Sequence, residues 1–111
     1  MSEIPRLNGL LEAALYVDNV ERSVHFYQTV LGFDIIDQDD RLCALGVAKR
    51  QILLVCQKEA SKNLPARSHD ATGRQHVCFA IPAEPFDEWQ TRLQEHAVAV
   101  EATQIWSRGG R

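Results

Sequence analysis

No stretch of this 111-residue chain approaches the roughly 20 consecutive apolar residues that cross a bilayer, so a membrane-spanning segment is not expected. The first residues also lack the charged-then-apolar plan of a secretory leader. Basic clusters are missing too. Twelve Lys and Arg stand against 15 Asp and Glu, a formal charge of -3, which makes nucleic acid and anionic membrane surfaces unexpected partners. Cysteine is sparse, and the three thiols at Cys43, Cys56 and Cys78 show none of the close spacings of zinc or redox pairs. All three fall in apolar runs and read as small buried hydrophobes in a reducing compartment, with Cys78 set apart by lying two residues after His76. A cytoplasmic location is the resulting expectation.

What is present is ordinary for a globular protein: 45% hydrophobic and 24% charged residues, enough for one domain around a single core. Leu10 to Val17 has the β-branched and aromatic character of a strand. Asp18 then offers a helix cap, with Glu21 three residues on to complete a capping box. Val20, Val24, Tyr27 and Leu31 form one apolar stripe of the helix that follows, and Gly32 is placed to end it in a left-handed turn. Phe33 to Asp37 reads as extended, Asp39-Asp40 as a turn, and Leu42–Ala48 with Gln51–Cys56 as a hairpin across Lys49-Arg50. Gln57 to Gln75 is a long polar connection, either a cover over a site or a plain join between halves.

The pattern then restarts. His76 to Ile81 reads as a strand, Pro85 suits the first turn of a helix, and Phe86, Trp89 and Leu93 give that helix its apolar stripe. Val98 and Val100 suggest a further strand, and Gln104-Ile105-Trp106 the start of another. The fold class expected is α+β, with module one over residues 8–57, a loop over 58–74 and a partial module two over 75–111, short by about two strands against the first. Two side chains with metal-binding chemistry, Glu12 and His76, open the matching strands of the two halves. Alternation along an extended strand groups Glu12 with Ala14 and Tyr16, and His76 with Cys78 and Ala80, opposite the residues that pack under each helix. Both groups are expected to face a common cleft.

The run Leu10-Leu-Glu-Ala-Ala-Leu-Tyr-Val-Asp-Asn-Val-Glu-Arg-Ser-Val-His-Phe-Tyr-Gln-Thr-Val-Leu-Gly-Phe33 resembles the opening of the vicinal oxygen chelate superfamily, and Gly73-Arg-Gln-His-Val-Cys-Phe-Ala-Ile81 resembles the start of its second module. That group includes glyoxalase I, bleomycin-resistance proteins, fosfomycin-resistance enzymes and extradiol dioxygenases. The resemblance implies paired βαβββ modules (the glyoxalase-like fold), assembled as homodimers. It implies a divalent metal (Mn, Fe, Ni or Zn) held by Glu12 and His76. A further glutamate, from the last strand of the second module, would follow a stretch that this sequence stops short of, so the third protein ligand is expected to be absent. Glyoxalase I draws another glutamate from the last strand of the first module, and the corresponding position here falls near Leu54, which cannot ligate.

The activity implied is that of a metal-dependent lyase, isomerase or dioxygenase acting on a small oxygenated substrate by chelation of adjacent oxygens, the ion serving as Lewis acid. Tyr16, Cys78 and Trp106 are the expected substrate-binding residues. His69 beside Asp70, Arg108 and Arg111 are secondary candidates, while His25 and His96 read as helix-surface groups. Two alternatives stand beside this reading: a metal-free small-molecule-binding dimer in the manner of bleomycin-resistance proteins, and a shortened form without activity. Whether the chain is an enzyme is left open at this stage.

Overall fold

The computed structural model describes residues 4–58 and 73–105. The chain divides into two units, Met1–Gln75 and His76–Arg111. The first contains β1 (Glu12–Val17), α1 (Val20–Leu31), β2 (Asp34–Gln38), β3 (Leu42–Ala48) and β4 (Gln51–Gln57). These strands form a four-stranded sheet in the order β1-β4-β3-β2. The topology follows from the connections. α1 carries the chain back to the end where β1 began, so β2 runs with β1, β3 reverses, and β4 is again parallel to β1. The α+β class and the βαβββ order are those read from the sequence.

Register separates the sheet into two faces. Ala13, Leu15 and Val17 pair with Leu53, Val55 and Gln57 of β4, and Leu53 and Val55 in turn pair with Leu45 and Cys43 of β3. This is the face beneath α1, which lies against β4 and β3 and sends Val20, Val24 and Val30 into the core. Leu45, Leu53 and Val55 are fully buried here, each worth about 1.5–3 kcal/mol of removed apolar surface. The opposite face carries Glu12, Ala14 and Tyr16, paired with Ile52, Leu54 and Cys56, which continue to Gly46, Ala44 and Leu42. Gly46 is small for a reason visible in the packing: a Cβ there would stand 3.3 Å from Cδ1 of Ile36, which crosses it from the edge strand.

The ends of α1 show why this segment is helical where it is. The N-cap is Asn19, not Asp18: its Oδ1 accepts the Arg22 N–H at 3.0 Å. Asp18 is claimed by the end of the sheet instead. Its carbonyl accepts from the Gln57 side-chain amide at 2.7 Å, and its carboxylate lies 3.3 Å from Nζ of Lys58. With the cap moved by one residue, Arg22 occupies the third helical position, and the capping box expected from Glu21 does not form. At the other end Gly32 takes φ 76°, as its position suggested, and its N–H and that of Phe33 close on Gln28 and Tyr27 carbonyls at 3.2 Å each. Phe33 then stacks on Tyr27 with ring centroids 5.8 Å apart.

The second unit contains α2 (Phe86–Glu95), preceded by Pro85, with Asp87 and Glu88 in its first turn where the helix dipole favours them. Phe86, Trp89 and Leu93 form the half-buried stripe expected. α2 is capped at His96, and Ala97 just beyond it takes φ 56°, with Ala97 N–H bonded to the Gln94 carbonyl at 3.0 Å and Val98 N–H to that of Leu93 at 2.8 Å. The runs 76–81 and 98–100 are not strands here, contrary to expectation. The first unit supplies the reason. Its opening strand is laddered to the closing strand of the module and to none between, and among the described residues the second unit has no such closing strand. Alternation survives over the first five positions, with Val77 and Phe79 half-buried and His76, Cys78 and Ala80 exposed, and it fails at Ile81, which is 40% exposed instead of packed under the helix.

Candidate functional site

Glu12 opens β1 on the face of the first unit's sheet opposite α1, and its side chain is exposed. Its near neighbours on that face are Ala14 two residues on, Ile52 directly across the parallel pair, and Leu54 diagonally beyond. All three are aliphatic. The position near Leu54 therefore lies on the correct face for a second carboxylate and does not supply one. Tyr16, at the other end of β1, is half-buried on the same face. Its backbone is held from outside the sheet: Tyr16 N–H donates to Oε1 of Gln75 at 2.7 Å, and Nε2 of Gln75 donates to the Tyr16 carbonyl at 2.8 Å.

In the second unit His76 and Cys78 are both exposed. The burial expected of Cys78 is not found, because 76–81 has no sheet to cover its outward positions; Sγ lies 4.0 Å from the Phe79 carbonyl. Cys43 and Cys56 are buried as expected. Burial, with the Asp37 carboxylate adding to it, pushes the Cys43 thiol up, so this sulfur stays protonated and is no nucleophile at neutral pH. Burial likewise raises the Tyr27 phenol. Trp106, His69, Asp70, Arg108 and Arg111 lie outside the described residues. His25 and His96 are exposed on or beside their helices, as expected.

Among the described residues no three His, Cys, Asp or Glu side chains cluster so as to hold a metal ion. In kind, an exposed carboxylate and an exposed imidazole suit a borderline divalent ion. In number they fall short of the about three protein donors that a closed or catalytic site uses. The sequence did not point to Gln75. A lone amide at the end of a polar connection carries no pattern of its own, and its two bonds to Tyr16 arise only when the fold brings residue 75 to the edge of β1.

The model of the Glyoxalase/Bleomycin resistance protein/Dioxygenase superfamily matches residues 9–107. The chain belongs to that superfamily. Among relatives in this superfamily, catechol-2,3-dioxygenase of Bacillus subtilis is 32% identical over 90 residues, 79% of this chain. The metallothiol transferase FosB of Staphylococcus haemolyticus is 28% identical over 94 residues, 85% of this chain. The match spans 31% of the dioxygenase and 64% of FosB, less than two thirds of either. A crystal structure of a lactoylglutathione lyase from Agrobacterium tumefaciens superposes with a TM-score of 0.84 at 30% identity, covering 95% of this chain and 82% of the lyase. The glyoxalase-like fold expected from the opening motif is the fold of these superfamily members. No helix among the described residues is long and apolar enough to cross a membrane.

Proposed function

We propose that this superfamily member binds a small oxygenated molecule through a divalent ion, with Glu12 and His76 as the protein ligands and Tyr16 and Cys78 beside the bound molecule. The observation that carries the reading is the setting of Glu12. It is a solvent-accessible carboxylate among Ala14, Ile52 and Leu54, with no ion pair among the described residues. Two protein donors leave several positions of an ion open, and adjacent oxygens of a ligand suit open positions of that kind. The relatives' names span a dioxygenase, a thiol transferase and a lyase, so the proposal concerns the ligand class rather than the reaction. Cytoplasmic location and homodimer formation belong to the same proposal.

The test is metal analysis of protein purified without added metal, followed by Mn2+ and Co2+ titration of the wild type, Glu12→Gln and His76→Ala. One ion per chain is expected, with affinity lowered about tenfold or more in each variant. Wild-type protein that takes up no stoichiometric ion, or variants that bind as the wild type does, would refute it. A second reading has its own support. The absence of a three-donor group among the described residues favours a metal-free binding module, in which His76→Ala leaves small-molecule binding intact.

A further inference from the structure

β1 is an edge strand, laddered among the described residues to β4 alone. In an extended strand, successive residues direct their backbone N–H and C=O groups to opposite sides. Val17 directs its carbonyl to the β4 side, where Lys58 N–H meets it at 2.9 Å. Tyr16, one residue earlier, therefore points both backbone groups outward. There the Gln75 amide satisfies both, at 2.7 and 2.8 Å. Paired residues of an antiparallel ladder exchange this same double bond; here one side chain takes the place of a strand. The chemistry is restrictive, because a primary amide offers donor and acceptor at one planar end, whereas a carboxylate lacks the donor and an ammonium the acceptor. The two bonds close over 59 residues of sequence, and the residue they anchor is the one immediately before His76.

We propose that Gln75 is a positioning residue for His76: by clamping Tyr16 it fixes the backbone from which the imidazole departs. The proposal rests on the reading of His76 as an ion ligand. Amide exchange and 15N relaxation on wild type, Gln75→Leu and the isosteric Gln75→Glu test it, together with Co2+ titration followed by the visible absorption of the bound ion. Removing the amide should speed Tyr16 exchange by about tenfold while Leu15 and Val17, bonded toward β4, are unchanged. The His76 backbone order parameter should fall from about 0.85 toward 0.6. Co2+ affinity should drop by about tenfold with the ligands themselves intact and the unfolding midpoint preserved. Unchanged Tyr16 exchange would remove the clamp and overturn the proposal. Faster Tyr16 exchange with His76 order and Co2+ spectrum unaltered would also overturn it, leaving Gln75 as a cover for the strand edge. Wild-type protein indifferent to Co2+, or equally bound after His76→Ala, would sink the ion reading by itself, and the His76 order parameter would then decide the positioning role alone.

Discussion

Replacing Asn19 by Ala should destabilise the first unit more than replacing Asp18, although the sequence makes Asp18 the better-looking cap. The Asn19 side chain satisfies one of the orphan N–H groups of α1 through a 3.0 Å bond to Arg22. Loss of such a cap costs about 1 kcal/mol, and in a chain of this size that lowers the melting temperature by about 4 °C. Asp18→Ala removes only the 3.3 Å ion pair to Lys58, whose partners' side chains are 79% and 30% exposed. Screening by water holds that pair below about 0.5 kcal/mol. The bond from Gln57 goes to the Asp18 backbone carbonyl and survives the substitution. Urea and thermal unfolding followed by circular dichroism should therefore rank wild type and Asp18→Ala together, with Asn19→Ala clearly below. Asn19→Asp keeps the acceptor and adds a charge that the helix N-terminus favours, so it should match the wild type at neutral pH. An Asp18→Ala loss equal to or larger than that of Asn19→Ala would refute the assignment of the cap.

Two further outcomes follow from local geometry. Asp39 accepts the N–H groups of Arg41 and Leu42, at 2.7 and 2.9 Å, and these bonds hold its carboxyl below the ordinary value. A depressed folded-state pKa contributes stability that is fully present above the usual carboxylate range near pH 4 and is lost as pH falls through the folded value. Asp39→Asn keeps an acceptor but does not titrate, so its acid unfolding limb should be shallower; superimposable limbs would exclude the linkage. At the end of α2, Ala97 holds a φ of 56° that glycine adopts without steric cost. Ala97→Gly should stabilise the helix end by about 0.5–1 kcal/mol, seen as slower amide exchange at Val98, and no gain there would contradict the left-handed cap.

Much of the architecture was legible in the residues. The stripe Val20, Val24, Tyr27 and Leu31 with Gly32 after it marks a helix whose burial and left-handed end are those found, although Val30 is also in the core and the stripe omits it. The hairpin Leu42–Ala48 with Gln51–Gln57 follows from two apolar runs around Lys49-Arg50, and Arg50 takes the positive φ, 57°, of that turn. The opening motif carried the superfamily, because it joins a strand to a helix whose core residues Val20, Val24 and Val30 and whose caps Asn19 and Gly32 all fall within one short run. Asp18 was less legible. Local chemistry favours it as a cap, and only Gln57 and Lys58, 39 or 40 residues away, turn it to the end of the sheet instead.

Periodicity and capping chemistry act between residues a few positions apart, so the chain alone determined the helices, the hairpin and the alternation that sorts Glu12 and Tyr16 from Leu15 and Val17. Tertiary structure decided what depends on distant partners. The run from His76 to Ile81 has the residues of a strand, but a strand needs a ladder, and its counterpart β1 takes its ladder from the last strand of the module. Leu54 beside Glu12, Cys78 in solvent and the Gln75 amide on Tyr16 are likewise matters of register and edge. None of these is encoded by near neighbours, since each depends on which segments, tens of residues apart, meet or fail to meet.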